Sequence, residues 1–219
     1  MNTHLEQSRF NMIEQQIRPW DVLDPAVLEL LNKVPRENFV PPQYLGLAFA
    51  DLEIPVGHGQ VMLAPKLQAR ITQSLNLKKS DRVLEIGTGT GFMTALMAHL
   101  AKHVLSVEIV PELTAEARRN LAALDVDNVS LETGDGVRGW LNAAPFDVIV
   151  LTGSMPVLPA ELQQQLAVDG RLFAVIGEAP VMEATLIRRV SDQVFRSDML
   201  FETCVPELIG APQAERFRF

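Results

Sequence analysis

Hydrophobic and polar positions fall into two textures along the 219-residue chain. Before residue 80, apolar residues recur at helical spacing between prolines. The spacing predicts a helix over 10–17, stopped by Pro19. Asp24 and Pro25 predict the next helix start, Asp24 as N-cap and Pro25 at the first helical position. Val27, Leu28, Leu30, Leu31 and Val34 make its apolar face. Pro35, Pro41 and Pro42 break the following stretch into turns, and Pro65 opens a helix over 66–75. We expect residues 1–79 to form a helical cap with loops, part of the same domain as the rest.

From Asp81 the pattern alternates between strand and helix. Strands are expected over 82–86, 103–109, 129–132, 146–151 and 171–176, and helices over 92–101, 111–124 and 158–166. The β-branched run 146–151 suits a strand buried on both faces. Such alternation predicts a parallel sheet with crossover helices. After Gly177 the alternation ends. Two strands, 182–190 and 194–204, are joined only through Ser191, Asp192 and Gln193, and so short a link requires an antiparallel pair. The expected fold is α/β: a Rossmann-like, mostly parallel sheet over 80–219 that ends in an antiparallel pair.

Composition narrows the partners. With 47% hydrophobic residues the chain can bury a sizeable core. A net charge of −8 repels phosphate backbones, so nucleic acid is not an expected partner. The single cysteine, Cys204, excludes an internal disulfide and fits a reducing compartment. It lies in an alternating apolar stretch and is expected in the core. The N-terminal residues lack the apolar segment of a secretory signal. No apolar run reaches the roughly 18 residues needed to span a bilayer. These features predict a soluble, cytoplasmic protein. His4, His58, His99 and His103 show no metal-ligand spacing, and no metal is expected.

Candidate chemistry begins where the first strand ends, at Leu84-Glu85-Ile86-Gly87-Thr88-Gly89-Thr90-Gly91. Glycines there allow a tight turn and let backbone N–H groups approach a ligand. The spacing is G-x-G-x-G, with Phe92 next, and it departs from the dinucleotide fingerprint. Glu108 ends the second strand about 20 residues after the loop, where a carboxylate accepts ribose hydroxyls. Asp135-Gly136 follows the third strand, where a carboxylate can bond an adenine amino group. Three such features at the carboxyl ends of successive strands share one crevice. A ligand with ribose and adenine but no phosphate fits, because the loop carries no lysine or arginine.

LEIGTGTGF, VEIVPEL, GDG and PFDVIVLTGS together resemble the motifs of class I S-adenosylmethionine-dependent methyltransferases. VPRENFVP and IPVGHGQ resemble protein-L-isoaspartate O-methyltransferases more narrowly, over about residues 12–177. The resemblance implies S-adenosylmethionine as cofactor, held by Glu85, Gly87, Thr88, Gly89, Gly91, Glu108, Ile109, Asp135 and Gly136. It implies methyl transfer to the carboxylate of isoaspartyl residues in damaged proteins. The ester then collapses to a succinimide, which starts repair.

The chain departs from that family in one place. The family usually continues G-H-G-Q with T-I-S, whereas here Val61-Met62-Leu63 follow Gln60. The family's active-site serine corresponds to Leu63, and its threonine to Val61. The acceptor contacts expected are His58, Gln60, Val61, Leu63 and Ser154. His58 is read first as a structural histidine bonded to backbone, and Ser154 as a hydroxyl at the end of the fourth strand. The apolar wall leaves two alternatives open: a more apolar acceptor, or a cofactor-binding module without transfer activity. CVPEL resembles part of the family's last strand. In the tail after it, Phe217 and Phe219 alternate as at a strand end and are expected to dock on the chain's own domain.

Overall fold

A computed structural model describes residues 3–124 and 126–214. The N-terminal part runs α1 (Thr3–Met12), a π-helical turn at Ile13–Ile17 and a short 3-10 turn at Arg18–Trp20. α2 (Pro25–Lys33) starts as its sequence predicts: the Asp24 side chain accepts the Ala26 N–H at 2.8 Å, and Pro25 stands at the first position. Its Val27, Leu28, Leu30 and Leu31 are buried. Two further 3-10 turns lead to a hairpin that the sequence pattern does not predict, β1 (Ile54–Gly57) paired with β2 (Gln60–Met62). Gly57, His58 and Gly59 all take positive φ at its tip. α3 (Pro65–Leu75) follows.

The main sheet is built from β3 (Arg82–Ile86), β4 (His103–Glu108), β5 (Val129–Thr133), β6 (Phe146–Met155), β7 (Leu166–Glu178), β8 (Val181–Ser191) and β9 (Val194–Thr203). The helices α4 (Phe92–Ala98), α5 (Pro111–Ala122) and α6 (Ala160–Gln164) connect its parallel strands. The order is β5-β4-β3-β6-β7-β8-β9. β3 to β7 run parallel, and the β7–β8 and β8–β9 pairs are antiparallel, as the short link requires. The chain leaves β3 outward to β4 and β5, then returns to β6 on the other side of β3. The strand order therefore reverses beside β3, and a crevice opens at the carboxyl ends there.

Side chains on the central strands alternate between two apolar clusters. Val83, Val104, Val148, Val150 and Phe173 face one, with α2, α3 and α4. Leu84, Leu105, Ile149, Leu151 and Leu172 face the other, with α6. The first cluster runs unbroken from Met12 and Ile17 through Leu63 into the sheet. Each fully buried Leu, Ile or Val contributes about 1.5–3 kcal/mol, so the N-terminal elements are fastened to the sheet by the same core.

Cys204 is exposed, contrary to the expectation of burial. β9 ends at Thr203, and Val205 takes the inward position at 3% exposure. Phe217 and Phe219 lie outside the described residues. Among the described residues, no helix is long and apolar enough to cross a membrane.

Candidate functional site

The glycine loop leaves β3 with Gly87, Gly89 and Gly91 at φ 95°, 55° and 92°. At Gly87 the need for glycine is steric as well, because a Cβ would collide with Thr152 Oγ1. Thr152 sits near the end of β6 and donates its hydroxyl to the Gly87 carbonyl at 2.5 Å. The loop is thus bolted to the neighbouring strand across the point where the order reverses. Gly89 donates its N–H to Glu108 Oε2 at 2.8 Å, and the Val110 N–H reaches Oε1 of the same carboxylate at 3.0 Å. Glu108 is 5% exposed, and that remainder faces the crevice.

The crevice holds about 640 Å³ of empty space, the open solvent at its mouth included. Gly87, Gly89, Glu108, Ile109, Asp135 and Gly136 line it, as the sequence predicts. Asp135 is steadied by the Val137 N–H, accepted at Oδ1 at 3.0 Å. Gly136 permits a close approach: a Cβ there would lie 3.2 Å from both Ile86 and Val107. Gln60, Val61 and Leu63 of the hairpin stretch form the opposite wall. A smaller cavity of about 330 Å³ continues beneath Val61 and Leu63 to Thr88, Thr90 and Gln68. The larger crevice is lined by Glu108, Asp135 and Glu207 and by no lysine or arginine among the described residues. That donor and acceptor set fits a nucleoside with a ribose diol and a cationic tail, and it does not fit a pyrophosphate.

Five sequence-predicted residues lie outside the larger crevice. Gly91 does not line either cavity. Its missing side chain lets α4 approach α5, where a Cβ would lie 3.2 Å from that of Ala117. Glu85 lies beneath the loop, fully buried, and accepts Ser106 Oγ at 2.6 Å and Thr94 Oγ1 at 2.5 Å. Burial pushes its carboxyl up to about 7, more than the two hydroxyls and the nearby Glu108 charge alter it. Thr88 extends this chain, its hydroxyl 2.6 Å from Ser106 Oγ. Ser154 is wholly buried and donates its hydroxyl to the Val205 carbonyl at 2.9 Å, so it is spent on holding the C-terminal segment and does not face an acceptor. His58 is exposed at the hairpin tip, outside both cavities, and its ring makes no hydrogen bond among the described residues. The expected backbone bond is absent because the left-handed turn points the ring into solvent.

One wall was missed from sequence. After β9 the chain runs beside the end of β6, with Ser154 N–H donating to Pro206 O at 2.9 Å and Leu208 N–H to Ser154 O at 3.0 Å. Pro206 to Ile209 then close the crevice, and Leu208 Cδ2 would lie 3.0 Å from a Cβ at Gly153 and 3.1 Å from one at Gly87. The signal was the VPEL stretch itself, a proline followed by apolar residues after a strand.

A glycine turn after the first parallel strand, an acid closing the second and a crevice at the reversal of strand order define a Rossmann-like methyltransferase. The chain belongs to the protein-L-isoaspartate(D-aspartate) O-methyltransferase family, whose profile matches residues 7–206. It is 41% identical over 207 residues to protein-L-isoaspartate O-methyltransferase 2 of Marinobacter nauticus, covering 94% of each chain. It is 44% identical over 172 residues to protein-L-isoaspartate O-methyltransferase 1 of an Anaeromyxobacter species, covering 78% of this chain and 81% of that one. A solved protein-L-isoaspartate O-methyltransferase superposes with a TM-score of 0.78 at 26% identity over 93% of this chain, which spans 65% of that one. A Plasmodium falciparum chain solved with S-adenosyl-L-homocysteine shares the fold, with a TM-score of 0.75 at 21% identity over 93% of this chain and 97% of that one.

Proposed function

We propose that this chain transfers the methyl group of S-adenosylmethionine to the free carboxylate of isoaspartyl residues in proteins. The observation that carries the reading is the meeting of two loops: Val61 and Leu63 line the same crevice and small cavity as Gly87 and Gly89. When bound, the cofactor supplies an electrophilic methyl group on a sulfonium. Glu108, which lines the crevice, would accept from the ribose hydroxyls, and Asp135 from the adenine amino group.

The acceptor has a pKa near ~4, so it arrives as an anion and needs no general base. Methyl transfer from a sulfonium to a carboxylate joins opposite charges and leaves both products neutral. A dry wall speeds such a step, because water that solvates the separated charges opposes it. Val61 and Leu63 exclude water, and Gln60 is the hairpin side chain able to donate to the carboxylate. The missing hydroxyls then weaken acceptor binding without removing the reaction. One hydrogen bond to a charged group is worth about 1.5–3 kcal/mol. The lone cysteine and acidic balance support action on proteins in the cytoplasm.

The test is labelled methyl transfer to an isoaspartyl peptide beside its aspartyl twin. Selective labelling of the isoaspartyl form is expected. Binding of S-adenosylhomocysteine with no labelling of either peptide would favour a more apolar acceptor, matched to the Val61–Leu63 wall.

A further inference from the structure

Arg36 is a buried cation without a carboxylate partner among the described residues. It is 1% exposed. Its Nε donates to the Ala48 carbonyl at 2.8 Å and its Nη2 to the Leu63 carbonyl at 2.8 Å. Its Nη1 donates to Gln68 Oε1, and the guanidinium stacks 5.1 Å from the centroid of the Phe92 ring. All three acceptors are neutral. Burial draws its pKa down to about 9, so at pH 7 it still carries its charge. A buried charge held only by neutral groups is costly unless a counter-charge arrives.

Gln68 conveys that charge to the site. A guanidinium only donates, so the Gln68 atom facing it must be the carbonyl oxygen, which fixes the amide orientation on chemical grounds. The amide nitrogen is therefore the free end. It has no partner among the described residues, although Gln68 is only 3% exposed, and Gln68 lines the small cavity. On the hairpin side of that cavity, Val61 and Leu63 offer no side-chain donor.

We propose that the Gln68 amide N–H₂ is a carboxylate-binding donor in the small cavity, and that Arg36 is the positioning residue that orients and polarises it. The proposal rests on the methyltransferase reading above. Two carboxylates can reach a cavity between the glycine loop and the hairpin: that of the cofactor's amino-acid tail and that of the acceptor. They share the chemistry that Gln68 recognises, and the experiment separates them.

The variants are Gln68→Leu, which removes the donor, and Gln68→Glu, which removes it and gives Arg36 an ion-pair partner that keeps the fold. Calorimetry would compare S-adenosylhomocysteine with 5′-methylthioadenosine, which lacks the tail carboxylate, and kinetics would give the KM of the isoaspartyl peptide. Loss of about tenfold or more for S-adenosylhomocysteine, with 5′-methylthioadenosine unchanged, assigns the donor to the cofactor tail. A KM raised about tenfold or more, with both nucleosides unchanged, assigns it to the acceptor. Arg36→Lys is expected to reproduce part of the same loss in the same ligand, whereas a purely structural arginine would weaken both nucleosides alike. Unchanged affinities and KM in both Gln68 variants, or equal weakening of both nucleosides, would overturn the proposal. If the wild-type chain binds S-adenosylhomocysteine but labels no isoaspartyl peptide, the acceptor reading fails separately, and the nucleoside comparison alone decides for Gln68.

Discussion

Glu108 accepts the Gly89 N–H at 2.8 Å across 19 positions of sequence, and this bond joins the end of β4 to the glycine loop. The same carboxylate closes the floor of the crevice. It therefore shapes the loop, and in the proposed function it also accepts from the cofactor's ribose. Glu108→Ala is expected to lose both functions. S-adenosylhomocysteine affinity should fall roughly tenfold to a hundredfold, the worth of about one hydrogen bond to a charged group. Isothermal titration checks it, and affinity within twofold of wild type would remove Glu108 from the cofactor site.

Gly87 and Gly89 are expected to respond differently to alanine. A Cβ on Gly87 meets Thr152 Oγ1, while one on Gly89 meets nothing within 4 Å. Gly87→Ala should cost about 2–4 kcal/mol through collision and backbone strain. Gly89→Ala should cost only about 1–2 kcal/mol, for a left-handed φ alone. Denaturant unfolding measures both, and equal losses would contradict the close fit between Gly87 and Thr152.

Glu85 makes stability depend on pH. Its folded pKa, about 7, lies above the ordinary 4.5, so the folded state holds the proton more tightly than the unfolded one. The stability it contributes is complete below pH 4.5 and is lost as pH rises to about 7. Ionising it inside the fold costs on the order of 3 kcal/mol. Glu85→Gln should flatten this slope and raise the thermal midpoint above pH 7. A midpoint with the same pH dependence in both proteins would refute the assignment.

Ser154 serves the C-terminal wall. Ser154→Ala should lower stability by about 1–2 kcal/mol, by leaving the Val205 carbonyl short of a donor, and should leave the peptide KM unchanged. A raised KM with unaltered stability would return Ser154 to the acceptor site.

Restoring hydroxyls to the hairpin stretch should favour a carboxylate. Val61→Thr with Leu63→Ser is expected to raise kcat/KM on an isoaspartyl peptide about tenfold. It should also cost about 2–3 kcal/mol of stability, because Leu63 is 5% exposed and packs in the core. Unchanged or lower kcat/KM in the double variant sinks the idea that this wall limits transfer.

The parts of the site legible in sequence were those set by local rules. Glycines that must take positive φ, an acid at a strand end and an Asp-Pro helix start all act within a few residues of themselves. Gly91 was placed in the loop correctly, but its reason is tertiary, the nearness of Ala117 on α5. Cys204 and Ser154 depart from expectation for one shared cause: the path of residues 205–211 beside β6 depends on contacts 50 residues apart, and no periodicity encodes it. Arg36 is not legible in the sequence, because a charged residue between prolines reads as surface. Only the fold reveals that Ala48, Leu63 and Gln68 converge on it.

The most direct test of carboxyl methylation is the fate of the transferred methyl group. An isoaspartyl peptide labelled by this protein should release labelled methanol under mild base, leaving a succinimide as the backbone nitrogen closes on the ester. Methanol release matched by succinimide would establish transfer to the isoaspartyl carboxylate. A label that stays on the peptide through base treatment, with no succinimide formed, would contradict it.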